Sequence, residues 1–169
     1  MRYLKSTLFL LSVYLLIMGA RTNEIKLTKG IQPGNLAPEI QWQGINLKGN
    51  HFVLLQFWAA YDAHSRMVNV QMHNAISNLK TDDVRLVSIS LDENKAVFEG
   101  IVRAEHLDPA TQFNDIRGKN SGFFKTFRLN SGFTNWLINS EGIIVAKNIN
   151  PKDISACIAA YNSDLQNVF

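Results

Sequence analysis

The sequence predicts an α/β domain in which a central mixed β-sheet is flanked by helices on both faces, and three observations predict it. The first is "HFVLLQFWA", residues 51–59, a continuous apolar run between Gly49-Asn50 and "YDAHSR". A run of that length, apolar on both faces, reads as a central buried strand. The second is the segment that follows, 63–79, where Val68, Met72, Ala75, Ile76 and Leu79 stand at offsets 0, 4, 7, 8 and 11. That spacing is one face of an amphipathic helix, and "VRLVSISLD" after it is another strand filling both faces. Strand, helix, strand with short connections implies a right-handed parallel crossover. The third is the pair "TNWLIN" and "IIVAKNI", joined by Asn139-Ser140-Glu141-Gly142. Those four residues suit a tight hairpin turn with glycine at the position of positive φ.

The other elements follow in chain order. Arg2 and Lys5 precede an apolar core from Leu8 to Ala20, 13 residues long, and a polar segment follows from Arg21. This is the layout of an export signal, and the core is short for a bilayer span of about 20 residues. Cleavage after Ala20 is the simplest reading, with an uncleaved N-terminal anchor as the alternative because Met18 is bulky for the position before the cut. The chain therefore divides into an export segment or anchor over 1–20, a linker over 21–33 and one domain over 34–169. Turn signals at "QPGN", "AP" and "LKGN", with "EIQW" between them, suggest an edge hairpin leading into the domain. A helix over about 93–105 would bury Ala96, Val97, Ile101 and Ala104. Residues 107–122 read as irregular chain with at most a short strand, and "GFFKTFRL" as a short helical turn. Asn150 caps the last helix with Pro151 at its first position. Its stripe holds Ile154, Cys157, Ile158, Tyr161 and Leu165 at offsets 0, 3, 4, 7 and 11, so Cys157 reads as a buried small hydrophobe.

Composition excludes several function classes. The net charge of +3 includes Arg2 and Lys5, and without residues 1–20 it is 15 basic against 14 acidic residues, or +1. No cluster of Lys and Arg interleaved with aromatics appears, so no nucleic-acid partner is expected. His51, His73 and His106 lack ligand spacing, so neither a metal nor another cofactor is expected. The single cysteine, Cys157, can form no disulfide within the chain.

Four local patterns, spanning about 34–155, carry a family resemblance. "PGNLAPEI" resembles an opening G-x-x-A-P-x-F, and "LKGNHFVLLQFWAA" resembles L-x-G-K-x-V-L-L-N-F-W-A. "VRLVSISLDEN" resembles V-x-V-V-G-V-S-L-D, and "TNWLINSEGIIV" resembles T-x-F-L-I-D-x-x-G-x-I-V. In this order they resemble the thioredoxin-like proteins of the periplasmic TlpA type, which implies a thioredoxin-like fold and thiol-disulfide oxidoreductase ancestry. The resemblance also implies where the chemistry would stand. In the family, F-W-A-x-W-C-x-x-C places two thiols at the start of the first helix, where the dipole lowers the first thiol's pKa and the second resolves the mixed disulfide. Those positions fall on Asp62 and Ser65, with Tyr61 at the second Trp. The family's cis-proline falls on Phe133, and its buried acid and following proline on Val68 and Val70. A carboxylate has no S–S chemistry, and a serine hydroxyl without an adjacent base is not a nucleophile at neutral pH.

The reading is therefore a thioredoxin fold without its dithiol, exported to the periplasm or cell envelope and acting there as a binding or accessory module. Asp62 would serve as helix N-cap. Trp58, Tyr61, Phe133 and Trp136 are the candidate binding residues for a protein or peptide partner, with membrane contact only through an uncleaved N-terminal segment. The alternative is oxidoreductase activity as in the family, through Cys157.

Overall fold

A computed structural model describes residues 27–40, 42–79 and 82–166, the side chains of 164–166 excepted. The predicted export segment, 1–20, lies outside the described residues, as does the Leu165 side chain. The five strands are β1 (Phe52–Trp58), β2 (Val84–Ser90), β3 (Gln112–Asn114), β4 (Asn135–Ile138) and β5 (Ile144–Lys147). They form one sheet in the order β3-β2-β1-β4-β5, so the apolar run read from the sequence is its middle strand. β1, β2 and β3 are parallel, whereas β4 and β5 run antiparallel as a hairpin. The helices are α1 (Ala63–Leu79), α2 (Lys95–Ala104), α3 (Gly122–Thr126) and α4 (Ile154–Gln166).

All seven residues of β1 are buried, and their alternation sorts them onto the two faces. Phe52 and Leu54 join Met72 of α1 and Ile154 of α4 in one cluster, where Cys157, Ile158 and Tyr161 are half-buried. Val53, Leu55 and Phe57 face the other side with Phe123 and Phe127. That second face is covered by α3 and by the loop over 31–47, which contributes Ile31, Ala37, Ile40, Ile45 and Leu47. Each of the buried Ile, Leu, Val and Phe side chains contributes about 1.5–3 kcal/mol by leaving water. A third, smaller cluster joins Trp58 to Phe98, Val102 and Leu107, with Val70 of α1 against it.

Three sequence expectations need correction here. Among the described residues the expected edge hairpin around "EIQW" does not form a pair of strands, and the ladder contacts of this segment are single bridges, Lys29 with Leu36 and Leu36 with Ile143. Ile40 and Ile45 are instead drawn into the core by the loop. The segment assigned as linker up to residue 33 is tied to the domain in part: Leu36 N–H donates to the Thr28 carbonyl, and buried Ile31 accepts from the Trp136 indole at 3.0 Å, while Thr28, Lys29, Gln32 and Pro33 stay exposed. The helix α2 buries Phe98 and Val102, while Val97 is exposed. Asn94, which accepts from the Ala96 and Val97 amides, caps the helix start, and packing against Trp58 and Leu107 turns Phe98 and Val102 inward.

The hairpin turn and last helix agree with the sequence. Gly142 has φ of 87° and donates to the Asn139 carbonyl. Asn150 accepts from the Lys152 amide and caps a short 3-10 turn, Pro151–Asp153, that leads directly into α4.

Candidate functional site

The candidate site is the junction where β1 ends and α1 begins, because a helix N-terminus there presents unpaired N–H groups and a partial positive charge. Asp62 fills that end. Its Oδ1 accepts from the Ser65 amide at 2.7 Å, its own amide donates to the Ala59 carbonyl, and its carbonyl accepts from the Arg66 amide. This is N-capping geometry, with the carboxylate also matched to the dipole. Ser65 is buried, and its hydroxyl donates to the Asp62 carbonyl at 3.1 Å while accepting from the Ala59 amide at 3.3 Å. His64 is exposed, and the bonds of the Ser65 hydroxyl go to main chain. Ser65 is thus a structural lock on the turn, with no base in place to activate it.

Sequence reasoning missed a residue that shapes this turn. Asp92 follows β2, is buried, and takes the Ala60 amide between its two carboxylate oxygens, each at 2.9 Å. The Ser90 hydroxyl donates to Asp92 Oδ2 at 2.7 Å, and Asn114 Nδ2 donates to its carbonyl. Asp92 therefore ties the β1–α1 turn to β2 and β3. The Asp in "SISLDEN" was visible, but the amide it holds lies 32 residues away.

Only two of the four candidate binding residues lie at the surface together. Tyr61 is 62% exposed, and its ring centroid stands 6.2 Å from that of half-buried Phe133. Trp58 and Trp136 are fully buried and belong to different clusters. Trp58 packs against Phe98 of α2. Trp136 meets Phe57 and Phe127 edge-on across the other face. The reason is the pleat: Trp58 and Phe57 are sequence neighbours and so point to opposite sides of the sheet. No described peptide bond is cis, so the chain around Phe133 is trans throughout. Burial raises the Tyr61 phenol pKa even at this exposed position, and the carboxylates of Asp92, Asp62 and Glu93 raise it further.

Val68 and Val70 lie half-buried in α1, packed against the second and third clusters, and put no charge near the junction. Cys157 is half-buried on α4 in the cluster with Phe52 and Leu54, not at the junction. Among the described residues no group of three His, Cys, Asp or Glu could hold a metal ion, and no helix is long and apolar enough to cross a membrane.

A parallel β1-α1-β2 unit, an antiparallel β4-β5 hairpin and a helix starting directly beyond the central strand define a thioredoxin-type domain. The comparisons place the chain further. It is 41% identical to a thioredoxin-like protein from Parabacteroides distasonis, over 78% of this chain and 97% of that one, with a TM-score of 0.75. The protein therefore belongs to the thioredoxin-like family. It is also similar to the C-terminal domain of a candidate thiol-disulfide oxidoreductase from Bacteroides thetaiotaomicron, at 26% identity over 66% of this chain and 76% of that one, TM-score 0.58. A thiol-disulfide oxidoreductase from Bacteroides fragilis shares the fold at 23% identity, over 66% and 82% of the two chains, TM-score 0.57. No protein-family model and no curated protein matches the sequence.

Proposed function

We propose that the protein is an exported thioredoxin-fold module of the cell envelope that binds a protein or peptide partner and performs no thiol-disulfide exchange. The observation that carries this reading is the β1–α1 junction. Where exchange needs a thiolate and a resolving thiol, Asp62 and Ser65 spend their oxygens on capping and bracing the turn. The chain's single cysteine lies elsewhere, on α4. The exposed Tyr61–Phe133 ring pair beside the junction supports the binding role, since aromatic rings give rigid contact area at little entropic cost. Residues 1–20, with their basic start and 13-residue apolar core, support export, either as a cleaved signal or as an anchor.

Insulin reduction by dithiothreitol tests the proposal. The purified protein should leave the rate at that of dithiothreitol alone, and Cys157→Ala should behave identically. Turnover that disappears in Cys157→Ala would instead assign oxidoreductase activity to that thiol.

A further inference from the structure

Resting on the anchor form of residues 1–20 proposed above, we infer that the domain lies on an anionic lipid surface with Lys125, Arg128 and Lys147 facing the headgroups. This adds a second membrane contact to the one expected of the N-terminal segment. The chain enters the domain beside these three residues. Residues 34–37 pair with the outer edge of β5: the Gly34 amide donates to the Ile144 carbonyl, the Ile144 amide to the Asn35 carbonyl, and the Ala37 amide to the Gly142 carbonyl. Because this pairing is antiparallel, the residues before Gly34 come in at the Lys147 end of β5. Ile31 and Gln32 there line one depression with Arg128 and Lys147. The Trp136 indole joins them, donating to the Ile31 carbonyl and lying with its centroid 5.5 Å from Lys147 Nζ.

Tether length and charge then set the orientation. The apolar core ends at Ala20, and the chain from there to Leu27 reaches at most about 25 Å when fully extended. A domain held so closely stays near the headgroups however it turns. Its charges are unevenly placed along the β4-β5 hairpin. At the open end stand Lys147 and exposed Arg128, and the Arg128 amide donates at 3.2 Å to the carbonyl of Lys125, exposed in the last turn of α3. None of the three takes part in an ion pair among the described residues. At the turn end, Asp83 and Glu141 line a cleft that holds no Lys or Arg. In the tether itself, Arg21 and Lys26 outnumber the one acid, Glu24. Each basic residue at an anionic lipid surface favours attachment about fivefold, so the basic end turns to the lipid and the acidic end away from it.

Nuclear magnetic resonance of the full 169-residue chain in lipid nanodiscs tests this, with a spin label on the headgroups broadening the amides closest to them. In discs containing phosphatidylglycerol, the Lys125, Arg128 and Lys147 amides should lose at least about twice as much intensity as those of Phe52, Asp83 and Glu141, a difference that fades with salt. In phosphatidylcholine alone the difference should shrink by about half or more. Lys125→Gln and Lys147→Gln, combined with Arg128→Asn, which suits the positive φ, should reduce it to the phosphatidylcholine level. Lys95→Gln with Arg103→Gln, on α2, should leave it unchanged. Equal broadening of both ends, no broadening of either, the same difference in phosphatidylcholine, or an unaltered triple variant would overturn the orientation. Protein isolated from cells with Arg21 as its first residue would overturn the anchor reading and this inference with it. Neither result bears on the redox reading, which the insulin assay decides separately.

Discussion

At the scale of single residues, the protein keeps a thioredoxin helix start, where Asp62 and Ser65 hydrogen-bond to the main chain of the turn. Asp62→Ala should lower stability by about 1 kcal/mol, the ordinary worth of an N-cap, read as a drop in Tm. Asp92→Ala should cost more, about 1–3 kcal/mol, because it strands the Ala60 amide and the Ser90 hydroxyl in a buried site. Asp115 adds a pH dependence. Burial alone would raise its carboxyl pKa, but hydrogen bonds from Arg117 and Ser121 outweigh that and lower it. A depressed carboxylate pKa contributes stability that is complete above the group's ordinary range and is lost as pH falls through the folded value. Thermal unfolding between pH 6 and pH 2, on the order of the usual acid range, should therefore lose less stability in Asp115→Asn than in the wild type.

At the scale of elements, the most informative feature is a polar row buried inside a largely apolar sheet. Gln112, Ser88, Gln56 and Asn135 sit in register on β3, β2, β1 and β4, all buried. Asn69 of α1, fully buried, lies over this row, accepting from Ser88 Oγ at 2.5 Å and donating to Gln112 Oε1 at 3.1 Å. Asn135 holds the main chain of Ile149 from both ends of its amide. Asn69→Ala should therefore cost about 2–3 kcal/mol, measurable in urea unfolding, since two buried partners lose their bonds. Asn69→Leu should fare no better. The row was not legible in the sequence, although Gln56 interrupts "FVLLQFW", because a row across strands exists only once their register is known. The apolar stripe of α1 was legible, but the residues it buries most deeply are Ser65, Asn69 and Met72. Hydrophobic spacing marks a helix face without saying that its centre is polar.

At the scale of the whole molecule, the frame was readable and the surface was not. Strand runs, helix periods and turn residues are local signals, so β1, α1, β2 and the β4-β5 hairpin fall where the sequence puts them. The second face of the sheet is closed by a loop, and loop burial leaves no periodic trace, which is why the segment around "EIQW" reads as an edge hairpin. The fates of Trp58 and Trp136 depend on which side of the sheet each faces, and adjacent strands reveal that only in three dimensions. What survives as a surface is the pair Tyr61 and Phe133, standing over a junction whose scaffold is complete.

The central claim is that this scaffold persists while the reaction is gone, and grafting the thiols tests it most directly. Insulin reduction should be measured for the wild type, for Asp62→Cys with Ser65→Cys, and for that double variant with Phe133→Pro. The account predicts a silent wild type, a double variant that forms a reducible disulfide, and faster turnover in the triple variant, with proline in place of Phe133. Turnover by the wild type at the level of the grafted variants would contradict the account.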